Sequence, residues 1–446
     1  MNDLVCRPLP RRPRARVLLA AALWLAPVLG PASLPAQATA TAAKPTTPAT
    51  RHGFSLERLA RLDTMLDGAV AANEIGGAVA LVLRDDRVVY ERAVGWNDRE
   101  TQRRMTTDAI FRLASQSKAI TSTAVLMLLE EGKLSLATPV SRFLPSFAKT
   151  TVAVRTDTGV AIVPARRAIT IRDLLTHTAG ISYGMEASVS ARYQAQGLGP
   201  AAGFGWYTAD KTEPVCTTMD RLGTLPFVAQ PGDAWVYGYN TDILGCVVER
   251  ASGMPLDVFI RQRITQPLGM RDSHFFLPVA QRERLVTVYA NDSGRVRRAP
   301  EGARGQGHYV DGPRVSFAGG AGMIATARDY ARFLQMIAHG GRWNGRQYLA
   351  PHTVALMTTN QVGTLHGSTV GFGLGFETIE RYGASGLASP GTFGWGGAYG
   401  SNYKVDPDEG LVIVVLINQL PAGTDIVARF QTMLYSALVE SRARLR

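Results

Sequence analysis

From Ser55 to Ala72 the apolar residues Leu56, Leu59, Leu62, Leu66 and Val70 recur at steps of three and four, the spacing of one face of an α-helix. Two runs rich in β-branched and aliphatic residues follow, Ala78 to Arg84 and Arg87 to Val94, with Asp85-Asp86 between them, and this predicts a β-hairpin. Near the other end, alternation from Gly371 to Glu380 predicts a strand. Ser401 to Val405 then pairs naturally with Leu411 to Asn418 across the turn Asp406-Pro407-Asp408-Glu409-Gly410. Thr424 caps a helical pattern running to about Arg442. Between the two ends, residues from about 115 to 320 read as helical or irregular, with Ser115 to Glu131 and Thr241 to Ala251 the clearest helices.

These elements predict an α+β fold: an antiparallel sheet assembled from both chain ends, helices on its faces, and an inserted helical lobe over about residues 120–318. A parallel α/β sheet fits badly, because strands do not alternate with helices along the chain.

The N-terminal segment reads differently. Arg7, Arg11, Arg12, Arg14 and Arg16 precede an apolar stretch from Val17 to Leu29, and Ala36-Gln37-Ala38 supplies small residues for cleavage. The order is that of a secretory signal peptide over residues 1–38, with an apolar core too short and too interrupted by proline to span a membrane comfortably; the alternative is an uncleaved anchor. A Thr/Ala/Pro tether over residues 39–53 follows, and the folded domain is expected over residues 54–446. No later apolar run reaches spanning length, so an exported, periplasmic or secreted, soluble protein is expected.

The 446 residues carry a formal charge of +12, but the first 38 hold five arginines and one aspartate, and their removal leaves +8. The remaining basic residues are scattered and not interleaved with aromatics, so a nucleic-acid partner is not expected. With 46% hydrophobic and 19% charged residues the chain can bury a large core. Cys6 leaves with the signal. Cys216 and Cys246 are then free either to pair in an oxidising compartment or, in the case of Cys246, to pack in its apolar run as a small hydrophobe. No CxxC or HExxH spacing is present, so neither a metal nor another cofactor is expected.

The segment Phe111 to Lys118 enters a helix with Ser115 at its first turn and Lys118 three residues on, hence on the same face and within reach of the serine hydroxyl. An amine in a dry site becomes a usable base, and free backbone N–H groups at a helix start can hold a developing oxyanion. An N-capping serine, Ser115 or Ser117, beside an exposed lysine would show the same spacing. A second segment, Pro231-Gly232-Asp233-Ala234-Trp235-Val236-Tyr237, leads into the apolar helix through Leu244-Gly245. Gly180-Ile181-Ser182-Tyr183-Gly184 spells the G-x-S-x-G pattern of α/β-hydrolases, but it follows a helix and a loop instead of a buried strand, so Ser182 is not expected to be the nucleophile.

Together these segments resemble the class C β-lactamase-like serine hydrolases, which include D-alanyl-D-alanine carboxypeptidases and family VIII carboxylesterases. The resemblance also rests on Gly132-Lys133-Leu134-x-Leu136, on Ile171 to Ile181, and on Gly319-Gly320-Ala321-Gly322-Met323 before Thr326-Ala327-Arg328-Asp329. It implies a β-lactamase/transpeptidase-like fold and catalytic roles for Ser115, Lys118 and Tyr237, the last sharing the lysine's proton. The family's Tyr-x-Asn continues here as Tyr237-x-Tyr239, with Asn240 one residue late. Where β-lactamases carry Lys-Thr-Gly, Trp395-Gly396-Gly397 stands, and the resemblance gives the N–H of Ala398 a share of the oxyanion hole with that of Ser115. His177 is expected to hold its loop by hydrogen bonds. The implied chemistry is acyl transfer to Ser115 and hydrolysis, on a small ester or amide or on a cell-wall peptide. A non-catalytic scaffold on the same fold is the remaining alternative. The oligomeric state leaves no mark in the sequence.

Overall fold

The computed structural model describes residues 49–198, 209–292 and 295–443. The signal segment, Cys6 and most of the tether lie outside the described residues. The described residues fold as one unit.

In chain order the elements that position the site are helix α1 (Leu56–Ala71), strands β1 (Gly77–Arg84), β2 (Arg87–Asp98) and β3 (Arg103–Arg104), and helices α2 (Ser117–Glu130), α3 (Ile171–Leu175), α4 (Val215–Leu222), α5 (Asn240–Ser252) and α6 (Ala327–Ala338). Strands β4 (Val370–Phe372), β5 (Glu377–Ile379), β6 (Phe393–Gly396), β7 (Asn402–Asp406) and β8 (Leu411–Ile417) and helix α7 (Ile426–Ala437) complete the set. One sheet of eight strands runs β4-β5-β6-β7-β8-β1-β2-β3, antiparallel throughout. The two chain ends join where β8 pairs with β1, from Leu411 opposite Arg84 to Ile417 opposite Ala78.

Because alternate side chains point to opposite faces, β1 and β8 are apolar on both. Ala78, Ala80, Val82, Ile413 and Val415 pack with α1 and α7 on the outer face. Val79, Leu81, Leu83, Val412 and Val414 pack with α2 and α6 on the inner one. Arg84 clamps the outer edge. Its guanidinium, 2% exposed, meets the Glu409 carboxylate at 2.9 Å and donates to the carbonyls of His52, Glu409 and Glu440. A buried ion pair is tolerated where further hydrogen bonds satisfy the charge, as here.

The predicted sheet from both ends is present, and so are the hairpin at Asp85-Asp86 and the helices near 117–130 and 240–252. Four local expectations change. Gly371–Glu380 is a hairpin, not one strand: Gly375 turns the chain at φ +104°, a conformation that favours glycine, and the Gly373 N–H donates to the Phe376 carbonyl. The last helix stops at Ala437, because Leu438 is drawn into an extended bridge with Phe54 and the Val439 N–H donates to Gly53. Structure starts slightly before Phe54, with Thr50–Arg51 pairing against Phe54–Ser55. The lobe is not purely helical: strands Thr151–Thr156 and Gly159–Pro164 form a hairpin, extended in parallel by Pro226–Phe227.

Cys216 and Cys246 form a disulfide that ties α4 to α5, so the lone-hydrophobe alternative for Cys246 is replaced. Closing a loop between residues 30 apart restricts the unfolded chain and contributes about 2–4 kcal/mol. The double variant Cys216→Ala/Cys246→Ala is expected to lower the free energy of urea unfolding by that amount. An unchanged unfolding midpoint would contradict this role.

Candidate active site

Ser115 lies in a short 3₁₀ turn, Ala114–Gln116, that runs directly into α2. Residues three apart along the continuous helical path from this turn into α2 share a face, which brings the Lys118 amine over the serine hydroxyl. Lys118 Nζ donates to Ser115 Oγ at 3.3 Å, to Tyr183 OH at 3.1 Å and to the Gly320 carbonyl at 2.8 Å. Its side chain is only 3% exposed. Ala114, immediately before the serine, holds φ at +46°, a strained conformation for a residue with a Cβ and one that clusters at functional sites. Ser117 is not a cap, for its hydroxyl accepts the Met323 N–H at 3.0 Å.

Behind the amine, the Gly320 N–H donates to Asp242 Oδ1 at 3.0 Å, so one residue, through its N–H and its carbonyl, stands between a buried carboxylate and the Lys118 amine. Burial pushes the Asp242 carboxyl above its ordinary pKa, and the Lys118 charge pulls it back. A Cβ at 320 would stand 2.6 Å from the Asp242 carboxylate and would displace it.

Tyr237 flanks Lys118 through its ring, 4.7 Å from Nζ to the centroid, while its hydroxyl accepts the indole N–H of Trp395 at 3.1 Å. The tyrosine hydroxyl bonded to the amine is therefore that of Tyr183, a residue hidden in the G-x-S-x-G segment. Ser182 itself is buried, bonded to Glu186 and to the Gly184 N–H. His177 does hold the loop. Its Nδ1 accepts from Asn240 Nδ2 at 2.9 Å, its carbonyl accepts the Val236 N–H, and burial together with the Lys118 charge keeps its pKa well below the usual histidine range. Asn240, whose role the sequence leaves open, also donates to the carbonyls of Ile181 and Val236 and so joins the two loops.

Strand β6 brings the remaining predicted residues to the nucleophile. Trp395, opposite Tyr403, faces Tyr237. Gly396 and Ala398 line the same cavity as Ser115. Gly397 abuts the backbone just before the serine, where a Cβ would stand 2.5 Å from the Leu113 carbonyl, and its own N–H is spent on the Ser401 carbonyl. Trp235, His366 and Phe372 extend the Trp395–Tyr237 pair into an aromatic wall. A hydroxyl beside a buried amine, two tyrosines, and N–H groups at a helix start make an arrangement suited to nucleophilic acyl transfer.

The Beta-lactamase family model matches residues 62–436. Esterase EstB of Burkholderia gladioli is 34% identical over 82% of this chain and 92% of its own. A putative D-alanyl-D-alanine carboxypeptidase of Escherichia coli strain K12 is 25% identical over 83% and 84%. Among solved structures, EstCE1, described as a hydrolase with promiscuous acyltransferase activity, superposes with a TM-score of 0.72 at 28% identity, covering 86% of this chain and 99% of its own. The chain belongs to the Beta-lactamase family. It is a serine hydrolase with the α+β, β-lactamase/transpeptidase-like fold that its motifs predict.

Removing the Tyr183 hydroxyl deletes one hydrogen bond to a buried ammonium, worth about 1.5–3 kcal/mol. Tyr183→Phe is accordingly expected to lower kcat about 10- to 150-fold with little change in KM, and to lower the melting temperature because a buried donor loses its acceptor. Wild-type turnover in this variant would remove Tyr183 from the proton-handling set.

Proposed function

We propose that this protein is an exported carboxylesterase that forms an acyl-enzyme on Ser115 and acts on small esters uncharged beside the scissile bond. Lys118, reacting as the neutral amine, takes the proton of Ser115 Oγ as the oxygen attacks the ester carbonyl. The tetrahedral oxygen is held by the N–H groups of Ser115 and Ala398. Lys118, with the Tyr183 hydroxyl bonded to it and Tyr237 beside it, returns the proton to the departing alcohol. Water then attacks the acyl carbon by the reverse path, and acid and free enzyme result. Export rests on the arginine-led apolar segment ahead of Ala36-Gln37-Ala38.

The observation that carries the substrate reading is Trp395. Its indole stands where relatives that bind a carboxylate beside the scissile bond are expected to carry lysine, and its N–H is already given to Tyr237. An indole offers an apolar wall and no charge. The 34% identity with Esterase EstB supports the same reading. The second reading, a β-lactamase or D-alanyl-D-alanine carboxypeptidase acting on cell-wall peptides, is favoured by the carboxypeptidase relative. The intact Ser115, Lys118 and Tyr237 set argues against a non-catalytic scaffold.

A charge-assisted hydrogen bond is worth about 1.5–3 kcal/mol, so its lack costs a carboxylate-bearing substrate roughly 10- to 150-fold. We expect kcat/KM for p-nitrophenyl butyrate to exceed that for a chromogenic cephalosporin, Trp395→Lys to shift the ratio toward the cephalosporin, and Ser115→Ala to abolish both activities. Efficient cleavage of the cephalosporin or of D-alanyl-D-alanine peptides, with poor ester turnover, would favour the second reading.

A further inference from the structure

A cavity of about 330 Å³ opens beside Ser115 and follows β6 away from it. Its far end is lined by Lys404 and Glu377. The register sets Glu377 opposite Gly394 and Gly394 opposite Lys404, one row across three strands with its side chains on a single face. Two residues closer to the nucleophile, Gly396 faces Asn402 in the same way. The two glycines leave a bare strip of backbone about 7 Å long between Ser115 and the Lys404 row. The Lys404 row cannot be covered from the middle: a Cβ on Gly394 would stand 2.3 Å from the Tyr403 carbonyl and 3.3 Å from Lys404 Cγ.

Lys404 is 8% exposed. Its Nζ donates to Ser385 Oγ at 2.6 Å and to the Ser385 carbonyl at 3.4 Å, and it makes no ion pair among the described residues. The acid that shares its row is engaged elsewhere, since Glu377 Oε2 meets His366 Nε2 at 3.0 Å. Burial lowers the Lys404 pKa, against the pull of Glu377 and Asp406. A buried ammonium without a carboxylate is costly for a fold to keep. This one stands at the end of an open strip that begins at the nucleophile.

The direction of the strip selects the part of the substrate. Tyr237 and Lys118, the groups that handle the proton of the departing alcohol, lie with Trp395 on the inner side of β6, and Gly394 and Lys404 face the other side. The acyl portion is left for the strip. We propose, building on the esterase reading above, that this groove is an acyl subsite in which Lys404 receives a terminal carboxylate, so that half-esters of linear dicarboxylic acids are preferred substrates. Such an ester is uncharged beside its scissile bond, as Trp395 requires, and charged at the far end. Attack by Ser115 releases the alcohol and leaves the ω-carboxyacyl group on the serine; water then releases the diacid.

The test compares mono-p-nitrophenyl adipate with its methyl-capped diester, equal in length and neutral, with Ser115→Ala as background. Wild type is expected to prefer the carboxylate about 10-fold or more in kcat/KM. Lys404→Met should erase the preference while p-nitrophenyl butyrate turnover stays within about twofold. Lys404→Arg should retain it, and Glu377→Gln, which removes a like charge from the row, should increase it. Equal rates on the two adipates in wild type, or a preference that survives Lys404→Met, would overturn the subsite. If Lys404→Met does not fold, the Lys404→Arg and Glu377→Gln ratios decide: no change from parity in either rejects the proposal. Failure of the esterase reading is separately visible as absence of butyrate turnover. Calorimetric binding of adipate to wild type but not to Lys404→Met then supports the subsite, and no binding to wild type overturns it.

Discussion

The Lys118 amine sits where three separately built segments meet: its own helix, the loop carrying Tyr183, and the glycine pair at 319–320. Taking an ammonium out of water costs several kcal/mol unless its donors are satisfied. Here the Gly320 carbonyl and two hydroxyls satisfy them, and the buried Asp242 stands one peptide behind. The arrangement is mutual. Thr121 on α2 donates to the Gly319 carbonyl at 2.9 Å, and Gly320 has room only because it lacks a Cβ. The amine is thereby fixed against the one hydroxyl that its neutral form must deprotonate.

The other half of the site depends on the sheet. Pairing of β8 with β1 joins chain ends more than three hundred residues apart, and the order of strands outward from β8 sets β6 beside the nucleophile. The final approach is a backbone contact: Gly397 against the Leu113 carbonyl. Any side chain at 397 would hold the strand off Ser115, and with it Ala398. Rigid scaffold elements on two sides, with loops supplying Tyr183, Trp235 and Tyr237, leave the substrate walls free to vary without disturbing the serine and lysine.

Local relations were legible in the sequence and distant ones were not. Ser115 and Lys118 share one turn, so their spacing carries their geometry, and the central strands announce themselves as apolar runs bounded by turn residues. Tyr183 was masked by a motif belonging to another fold; its relevance comes from the folding of a loop onto α2, which no spacing encodes. Asp242 and Gly320 are 78 residues apart and meet only in the folded chain. The early end of α7 has the same origin, because Leu438 bridges to Phe54. The Cys216–Cys246 pairing likewise depends on α4 lying against α5. Lys404 reads in sequence as one more alternating strand residue, and only the register with Gly394 brings it to the cavity.

The account turns on a covalent intermediate at a single oxygen. Enzyme mixed with p-nitrophenyl acetate and quenched in acid during turnover, then digested and sequenced by mass spectrometry, should carry one acetyl group, on the Ser115 hydroxyl. Lys118→Ala should lose it. An acetyl group on Ser182, or sustained turnover with Ser115 never acylated even when the quench is made within the first catalytic cycle, would contradict it.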